Sequence, residues 1–299
     1  MRLLFYTVRG LEEALRLELE ELGARAVEAL PSRVLAEADA AVRPRTASRV
    51  AELLGEAEAR PLRRSLRLAI RAALPRGAPC RVRGYVHGRC IPARVLELVA
   101  AREAKRRGCG GGLLLVDYFC GSGRILLARE VEALWAGRRG YYRGGHPATL
   151  NPLLAAAIPF LAGVRGGVVL DPLCGSGTIP VEASLARGLR GLCSDVEPGY
   201  VAIAARSAAA SGADVEVFAA DVLAHPVRGA VDLVATDPPR ASLGVHLRLA
   251  AAAVRLGRLA AVVTPYPGRV AALLEDARVY ATFQGGERVA IVVGRPRGA

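Results

Sequence analysis

The chain has 299 residues, 52% of them hydrophobic, and a formal net charge of +13. This length favours two domains, and the apolar content is sufficient for a full core. No apolar stretch reaches the roughly 18 residues that span a bilayer, and the start, 1–7, is too short and too soon followed by acids for a signal peptide. A cytoplasmic protein without membrane segments is expected. Its single lysine fits a thermophilic source.

Residues 1–136 have the pattern of a small α+β region. The first predicted elements are a strand at 3–8, a helix at 12–22, a strand around 34–36 and a second helix at 45–54. They are followed by a basic amphipathic helix at 62–73, a strand at 81–86, a helix at 91–106 and a hairpin of 113–116 with 125–130.

Positive charge is concentrated between residues 60 and 107, where 14 Lys or Arg accompany only two acids, Glu97 and Glu103. Such a block suits a polyanion, because Arg and Lys neutralise phosphates and release counterions. The alternative is a solvated surface. The residues predicted to bind RNA are Arg63, Arg64, Arg67, Arg71, Arg81, Arg83, Lys105, Arg106 and Arg107.

Two short motifs give this region a family resemblance. The run Thr7–Glu12 and the run Arg45–Val50, with the arginines that follow, resemble a THUMP domain preceded by a ferredoxin-like segment. That resemblance implies the RNA-binding front end of an enzyme that modifies tRNA or rRNA. The domains expected are therefore 1–136 for RNA binding, a linker at 137–145 and a second domain at 146–299.

The six cysteines form no CxxC pair, and no histidine lies at metal-ligand spacing, so no metal site is expected. Cytosolic thiols should mostly be buried and reduced, although a disulfide among Cys80, Cys90, Cys109 and Cys120 remains open. The run 116–123 imitates the loop at 170–177 but has no acid at ribose spacing behind it. We therefore predict a hairpin turn there.

Four aspartates mark the C-terminal half. The apolar run 168–170 stops at Asp171 and opens a Gly-Ser-Gly turn at 175–177, which predicts a strand, a phosphate-type loop and a helix. Asp195 ends the next apolar run about 20 residues later, where a doubly wound fold places its ribose-binding acid. Because the turn lacks the full G-x-G-x-x-G spacing, a methyl donor fits better than a dinucleotide.

Asp221 and Asp237 end two further apolar segments, so one crevice at the carboxyl ends of an α/β sheet should hold all four aspartates. This order resembles class I methyltransferases that use S-adenosylmethionine. Asp237-Pro238-Pro239 is similar to the motif of the branch that methylates exocyclic amines of bases. The fold class expected is α/β, with a C-terminal Rossmann-like methyltransferase domain behind the α+β ferredoxin-like and THUMP region.

The resemblance also implies which residues hold S-adenosylmethionine: the Asp171 loop and the segment from His146 at its methionine end, Asp195 at the ribose and Asp221 at the adenine. The residues assigned to the cofactor are His146, Pro147, Ala148, Thr149, Leu150, Asp171, Pro172, Cys174, Gly175, Ser176, Gly177, Thr178, Asp195, Val196, Asp221, Val222 and Asp237.

For catalysis, Asp237 and the Pro238 carbonyl would accept the two N–H bonds of a base amine and turn its lone pair toward the methyl group. The base must be single-stranded or flipped out. Arg240 stands where the family usually has Tyr or Phe, and its guanidinium can stack on a base. The catalytic residues predicted are Asp237, Pro238, Pro239 and Arg240. RNA methyltransferases that form 5-methyluridine need a cysteine nucleophile after a later strand. No cysteine follows Cys193, which argues against that reaction.

These observations predict a monomeric tRNA guanine-N2-methyltransferase that uses S-adenosylmethionine and no metal. The Thr7–Glu12 start resembles the family members that act at nucleotide position 6, whereas the residues Thr236–Pro239 resemble those that act at position 10; we favour position 6. The alternatives are an rRNA guanine or adenine N-methyltransferase and a non-catalytic RNA-binding protein that keeps the fold. His225 and His246 are interpreted as structural or surface residues.

Overall fold

The structure is a computed structural model that describes residues 1–134, 139–142, 149–227 and 230–298. Packing divides the chain into two compact units. The first unit comprises residues 1–6, 23–42 and 48–134, and the second comprises 7–22, 43–47 and 135–299. The predicted domain limits fall beside residues outside the described ranges and stay a prediction.

Both halves of the chain contain strands and helices. The first are β1 (Arg2–Tyr6), α1 (Glu12–Glu21), β2 (Arg25–Leu30), β3 (Arg33–Glu37), β4 (Arg49–Glu58), α2 (Arg63–Ala73), β5 (Pro79–His87), α3 (Ala93–Arg106), β6 (Gly110–Phe119) and β7 (Arg124–Glu132). The others are α4 (Pro152–Ala162), β8 (Val168–Asp171), α5 (Thr178–Arg187), β9 (Arg190–Asp195), α6 (Pro198–Ser211), β10 (Val215–Ala219), β11 (Val231–Thr236), α7 (Leu243–Val254), β12 (Gly257–Thr264), α8 (Pro267–Ala271), β13 (Leu274–Gln284) and β14 (Glu287–Pro296).

The first unit is a seven-stranded sheet in the order β2-β3-β1-β4-β7-β6-β5. Its pairs are antiparallel except β5 with β6, which run parallel because α3 crosses between them. The helices α2 and α3 pack on one face, where Leu66, Ile70 and Leu96 share a core with Val116 and Leu127. Within the predicted run 116–123, residues 120–123 form the turn that joins β6 and β7, so the hairpin prediction is confirmed.

The second unit is a seven-stranded sheet in the order β10-β9-β8-β11-β12-β14-β13. Neighbours from β10 to β12 run parallel, and β14 and β13 join antiparallel. Chain order reverses between β8 and β11, as in a doubly wound sheet. The predicted α/β class with a Rossmann-like C-terminal domain is confirmed.

Two N-terminal segments, 7–22 and 43–47, belong to this second unit, and the first of them has well-defined contacts. Gly10 has φ of 93°, and a Cβ there would lie 1.9 Å from the Ala281 carbonyl oxygen on β13, so only glycine fits. The Thr282 hydroxyl donates to the Arg9 carbonyl over 2.8 Å. Helix α1 packs against α4, with Ala14 in the same core as the residues of that helix. These contacts tie 7–22 to the edge of the Rossmann-like sheet.

One predicted element is wrong. The second helix expected at 45–54 is instead the start of β4, which pairs with β1 on one side and β7 on the other. Ala, Leu and Glu favour a helix locally, but two long-range ladders override that preference. The other helices and strands predicted in the first unit lie where the sequence indicated, within a few residues.

The expectation of mostly reduced thiols is also wrong, since all six cysteines pair. In the first unit Cys80 joins Cys109 and Cys90 joins Cys120, within the group left open by the sequence. In the second unit Cys174 joins Cys193, which cross-links the predicted cofactor loop to β9.

Candidate functional site

The four predicted aspartates lie at neighbouring strand ends. Asp171 ends β8, Asp195 ends β9, and Asp237 follows β11, while Asp221 follows β10. Since these strands are parallel neighbours, their carboxyl ends share one edge of the sheet, where ligands bind in such folds. The structure therefore brings together the acids that the sequence pattern selected.

The loop after β8 is shaped by its glycines. Gly175 has φ of 52° and Gly177 has φ of 77°, a region that residues with a Cβ rarely adopt. The Gly175 N–H donates to Asp195 Oδ2 over 2.9 Å, and the Cys174 N–H donates to the Ser194 carbonyl over 2.9 Å. The loop thus leads into α5 while it is anchored to the end of β9.

Asp171 is the most deeply buried acid at this edge, with 2% of its surface exposed. Burial, together with a smaller effect of the nearby carboxylates of Asp195 and Asp237, raises the pKa of Asp171 to about 8. The Thr236 side chain and the Leu173 N–H, at 3.1 Å, oppose that shift. An acid in this state gains most from a cationic ligand.

Asp195 and Asp221 present oxygens that are fixed by backbone groups. The second Asp195 oxygen accepts the Glu197 N–H over 3.0 Å. Asp221 caps a short 3-10 helix, Val222–Ala224, through the Leu223 N–H at 2.9 Å. Each carboxylate oxygen can accept more than one hydrogen bond, so both side chains keep acceptor capacity for hydroxyl or amino groups. Val222 is buried, whereas Val196 is exposed.

Asp237 has a buried oxygen without a hydrogen-bond partner among the described residues: its Oδ1. The Arg240 guanidinium lies 3.5 Å from that oxygen and also donates to Glu287 over 3.2 Å. Burial raises the pKa of Asp237 to about 6, and the charge of Arg240 opposes the rise. Arg240, which was predicted to stack on a base, therefore contacts the carboxylates of Asp237 and Glu287.

Pro238 is buried and Pro239 is exposed directly after Asp237. Two consecutive prolines fix φ and remove the backbone donors at both positions. The segment therefore presents carbonyl acceptors beside the Asp237 carboxylate, as an amine substrate would require.

His246 is a site residue that the sequence interpretation did not assign to function. It is fully buried, and its Nδ1 lies 3.2 Å from the Pro239 carbonyl oxygen. Its Nε2 lies 2.9 Å from the Thr264 hydroxyl at the end of β12. The only sequence signal for such a role was that His246 follows the Pro-Pro pair by seven residues, across the start of a helix. That spacing alone is too weak to assign a function.

The segment before α4 is only partly within the described residues. His146, Pro147 and Ala148, which were assigned to the cofactor, lie outside them. The carbonyl of Thr149 accepts from the Gln284 side chain over 3.0 Å, and the Gln284 oxygen accepts the Asn151 N–H over 3.0 Å. Gln284, at the end of β13, was not predicted as a site residue. Its two hydrogen bonds fix the segment that leads into α4.

In the first unit, several predicted RNA-binding arginines line a groove of about 320 Å³ between α2 and α3. Its lining residues are Arg63, Arg64, Arg67, Val99, Arg102, Glu103 and Arg106. The sequence interpretation missed Arg102. It also included Arg81 and Arg83, but Val82 between them packs under the helices, so these two arginines point to the other face of β5.

Two negative observations concern the described ranges only. Within 1–134, 139–142, 149–227 and 230–298, no group of three or more His, Cys, Asp or Glu side chains could hold a metal ion. In the same part of the chain, no helix has the length and apolar content to cross a membrane.

Comparison with known proteins defines the class. Residues 139–283 match the family model described as UPF0020, RMKL-like, methyltransferase domain. Together with the parallel sheet and its crevice of acids, this match defines a class I methyltransferase domain. Residues 139–283 are thus similar to the RMKL-like family of such domains, and S-adenosylmethionine is the methyl donor that this likeness indicates.

Three curated relatives match parts of the chain. The tRNA (guanine(6)-N2)-methyltransferase of Methanocaldococcus jannaschii is 43% identical over 17% of this chain and 13% of its own length. The ribosomal RNA large subunit methyltransferase K/L of Cellvibrio japonicus is 36% identical over 29% and 11%. The tRNA (guanine(10)-N2)-dimethyltransferase of Methanothermobacter thermautotrophicus is 34% identical over 31% and 28%. The chain thus aligns with less than a third of each relative.

Solved structures resemble the whole chain. The crystal structure of TrmN from Thermus thermophilus has a TM-score of 0.75 and 24% identity, with 98% of this chain and 99% of that chain covered. SMU.472, a putative methyltransferase complexed with SAH, has a TM-score of 0.74 and 15% identity, with 100% and 98% covered. At these identities the likeness concerns the fold.

Proposed function

We propose that this protein transfers a methyl group from S-adenosylmethionine to the exocyclic N2 of a guanosine in tRNA. The observation that carries the proposal is Asp237 Oδ1, a buried carboxylate oxygen that lies 3.5 Å from the Arg240 guanidinium and has no partner at hydrogen-bond geometry in the described part of the chain. A buried acceptor left in this state is costly unless a ligand supplies a donor. The N–H of a base amine is such a donor.

The donor set fits the proposed cofactor. Asp171 suits the cationic methionine end, since an ammonium group nearby would favour the charged form of that buried acid. Asp195 suits a ribose diol, and Asp221 with Val222 suits an adenine. When bound, S-adenosylmethionine supplies an electrophilic methyl group on a sulfonium, so no metal is needed to activate it.

The remaining chemistry concerns the amine. Asp237 and the Pro238 carbonyl would accept its two N–H bonds, which turns the lone pair toward the methyl group. As the new C–N bond forms, the C–S bond breaks and sulfur keeps the electron pair. The nitrogen then releases one proton, and Asp237, with a pKa of about 6, is placed to accept it.

The choice of tRNA and of position 6 rests on the relatives and on the chain's N-terminal run. Two curated relatives carry names of tRNA guanine-N2 enzymes, and the one with the higher identity acts at guanine 6. A relative named for large-subunit rRNA supports rRNA as the second candidate. With either RNA, the proposed acceptor of the base amine is Asp237.

The groove between α2 and α3 supports an RNA partner. Four of its arginines, Arg63, Arg64, Arg67 and Arg102, have no ion-pair partner within the described ranges. Arg106 pairs with Glu103 at 2.6 Å but is still more than half exposed. Guanidinium groups left without carboxylates are available to phosphates, so this groove is the proposed contact for the RNA backbone.

The test is methyl transfer from labelled S-adenosylmethionine to unmodified tRNA and to large-subunit rRNA transcripts, with the product nucleoside identified by mass. The proposal expects N2-methylguanosine in tRNA, at position 6 when the RNA is cut into fragments. A methylated nucleoside found in rRNA alone would favour the second candidate substrate, large-subunit rRNA, over tRNA. Binding of both ligands without any product would contradict the catalytic proposal.

A further inference from the structure

The first turn of helix α7 contains a histidine whose side chain connects two loops of the site. His246 lies in the first turn of α7, which Ser242 caps by accepting the Val245 N–H over 3.3 Å. The imidazole reaches back to the Pro239 carbonyl oxygen at 3.2 Å. On its other side it reaches the Thr264 hydroxyl at 2.9 Å. The ring therefore bridges the segment after β11 and the segment after β12.

The hydrogen-bond partners fix the tautomer of this ring. A carbonyl can only accept, so Nδ1 carries the proton and donates to Pro239. Nε2 then accepts from the Thr264 hydroxyl, whose oxygen in turn accepts the Tyr266 N–H over 3.0 Å. The chain runs from Tyr266 through Thr264 and His246 to Pro239, and every group in it is satisfied in the neutral state.

This arrangement differs from that of an ordinary core histidine. Its acceptor, the Pro239 carbonyl, belongs to the Pro-Pro pair beside Asp237, and that pair lacks backbone donors of its own. Tyr266 meets the imidazole edge-on, with ring centroids 5.5 Å apart. No other described side chain donates a hydrogen bond to that carbonyl. The position of the Pro238 and Pro239 acceptors thus depends on the imidazole.

The geometry points to His246 as a positioning residue for methyl transfer, which holds the Asp237–Pro239 segment and Tyr266 in a fixed mutual geometry. It touches neither cofactor nor base and acts through Pro239. This inference rests on the proposed function, because it deepens the account of the same site. Burial, which lowers the pKa of His246, keeps the ring neutral at physiological pH and preserves the donor on Nδ1.

Two substitutions separate the two bonds of the ring. His246→Asn keeps an amide N–H where Nδ1 stands, and His246→Gln keeps a polar group where Nε2 stands. We expect His246→Gln to lower kcat by about 100-fold, the scale of a 1 Å misplacement, with the Kd for S-adenosylmethionine nearly unchanged. His246→Asn should retain most of kcat, since it rescues the Pro239 bond.

The matched control is His225→Gln. His225 is also buried in the second unit, and its Nε2 lies 2.9 Å from the Ser194 hydroxyl, a contact that glutamine can keep. This variant loses the bond from the Val227 N–H to His225 Nδ1, at 3.3 Å, so it should lower Tm and leave kcat unchanged. Thr264→Val serves as a second test of the chain and should lower kcat less than His246→Gln.

Amide hydrogen exchange at Arg240, Ala241 and Tyr266 makes the outcome independent of turnover. We expect faster exchange there in His246→Gln and wild-type exchange in His246→Asn. Equal kcat and equal exchange in the two His246 variants would overturn the positioning role while the proposed function stands. If wild-type protein methylates no RNA, the proposed function fails, and the exchange pattern alone decides whether His246 holds the segment.

Discussion

Two sets of buried acids in the second unit have opposite surroundings. Glu182 on α5 accepts two bonds from Arg45, at 2.8 and 3.0 Å, and one each from Arg139 and Tyr141, at 3.2 and 2.7 Å. Asp237 at the sheet edge has an oxygen with no hydrogen bond in the described ranges. A carboxylate saturated by donors holds segments together, whereas one left short of donors is suited to a ligand.

Glu18 and Asp171 repeat the contrast. Glu18 accepts from the Thr46 hydroxyl at 2.6 Å, the Thr46 N–H at 2.8 Å and the Arg45 N–H at 2.7 Å. Asp171 accepts the Leu173 N–H, and the only other group that favours its charged form is the Thr236 side chain, among the described residues. Burial alone therefore does not mark a functional acid. The number of hydrogen-bond donors around a buried acid distinguishes a functional acid from a structural one.

The largest effect should follow from removing the acceptor at the site. We expect Asp237→Ala to lower kcat by about 100- to 1,000-fold, the scale of losing one preorganised catalytic hydrogen bond. Binding of S-adenosylmethionine, measured by calorimetry, should stay near wild type. Asp214→Ala, at an exposed acid in the same unit, is the control. Unchanged turnover in Asp237→Ala would remove the distinction between the two sets of acids.

A structural acid should show the reverse pattern. Glu182→Ala leaves Arg45 and Arg139 without their buried partner, so we expect a loss of about 3 kcal/mol in the free energy of unfolding. At temperatures well below the melting transition, kcat should remain close to wild type. Chemical denaturation and turnover of the same preparation check both statements. A fall in kcat without a fall in stability would place Glu182 among the functional acids.

Asp171 predicts a pH dependence of cofactor binding. Its pKa of about 8 in the free protein means that the carboxyl is mostly protonated at pH 7, and a cationic ligand favours the ionised form. Affinity should therefore rise by up to about tenfold per pH unit toward pH 8 and level above it. Asp171→Asn should bind more weakly with a flat profile. Calorimetry in buffers of different ionisation enthalpy would detect the released proton.

The same shift has a consequence for stability. The folded-state pKa lies above the ordinary 3.8 of this group, so folded protein keeps a proton that the unfolded chain has released. Stability should then decline as pH rises from about 4 to 8, and Asp171→Asn should remove that decline. A steeper decline in the variant would show that other groups dominate.

The smallest effect concerns Arg240. Its charge lowers the pKa of Asp237 against the rise caused by burial. Arg240→Met should therefore raise that pKa and move the acid limb of kcat/KM to higher pH, by less than about one unit given the exposure of the guanidinium. Arg240→Lys is the control, since it keeps the charge. A shift to lower pH in Arg240→Met would contradict the ion pair with Asp237.

The contrast also explains what could be predicted from sequence. Asp171 and Asp195 each end an apolar strand, and parallel neighbours bring such ends to one edge, so local pattern was sufficient. Glu182 and Arg45 lie 137 residues apart and meet only through the fold. No local pattern joins them. The strand β4 was predicted as a helix for the same reason. It is stabilised by pairing with β1 and β7, which the helix preference of its residues does not reveal.

His246 shows a second limit. Its role depends on the carbonyl of Pro239 and the hydroxyl of Thr264, which come from the ends of two different strands. A lone histidine among alanines and leucines carries no sign of either partner. The same holds for Gln284, whose amide meets Thr149 and Asn151 from more than 130 residues away.

The most direct test uses a tRNA transcript in which the methylated guanosine, once mapped, is replaced by inosine. Inosine lacks only the exocyclic amine that Asp237 and Pro238 are proposed to bind. Binding of this RNA should stay near that of the guanosine transcript, and methyl transfer from labelled S-adenosylmethionine should disappear. Methylation of the inosine transcript at that nucleotide would contradict the assignment of an exocyclic amine to this site.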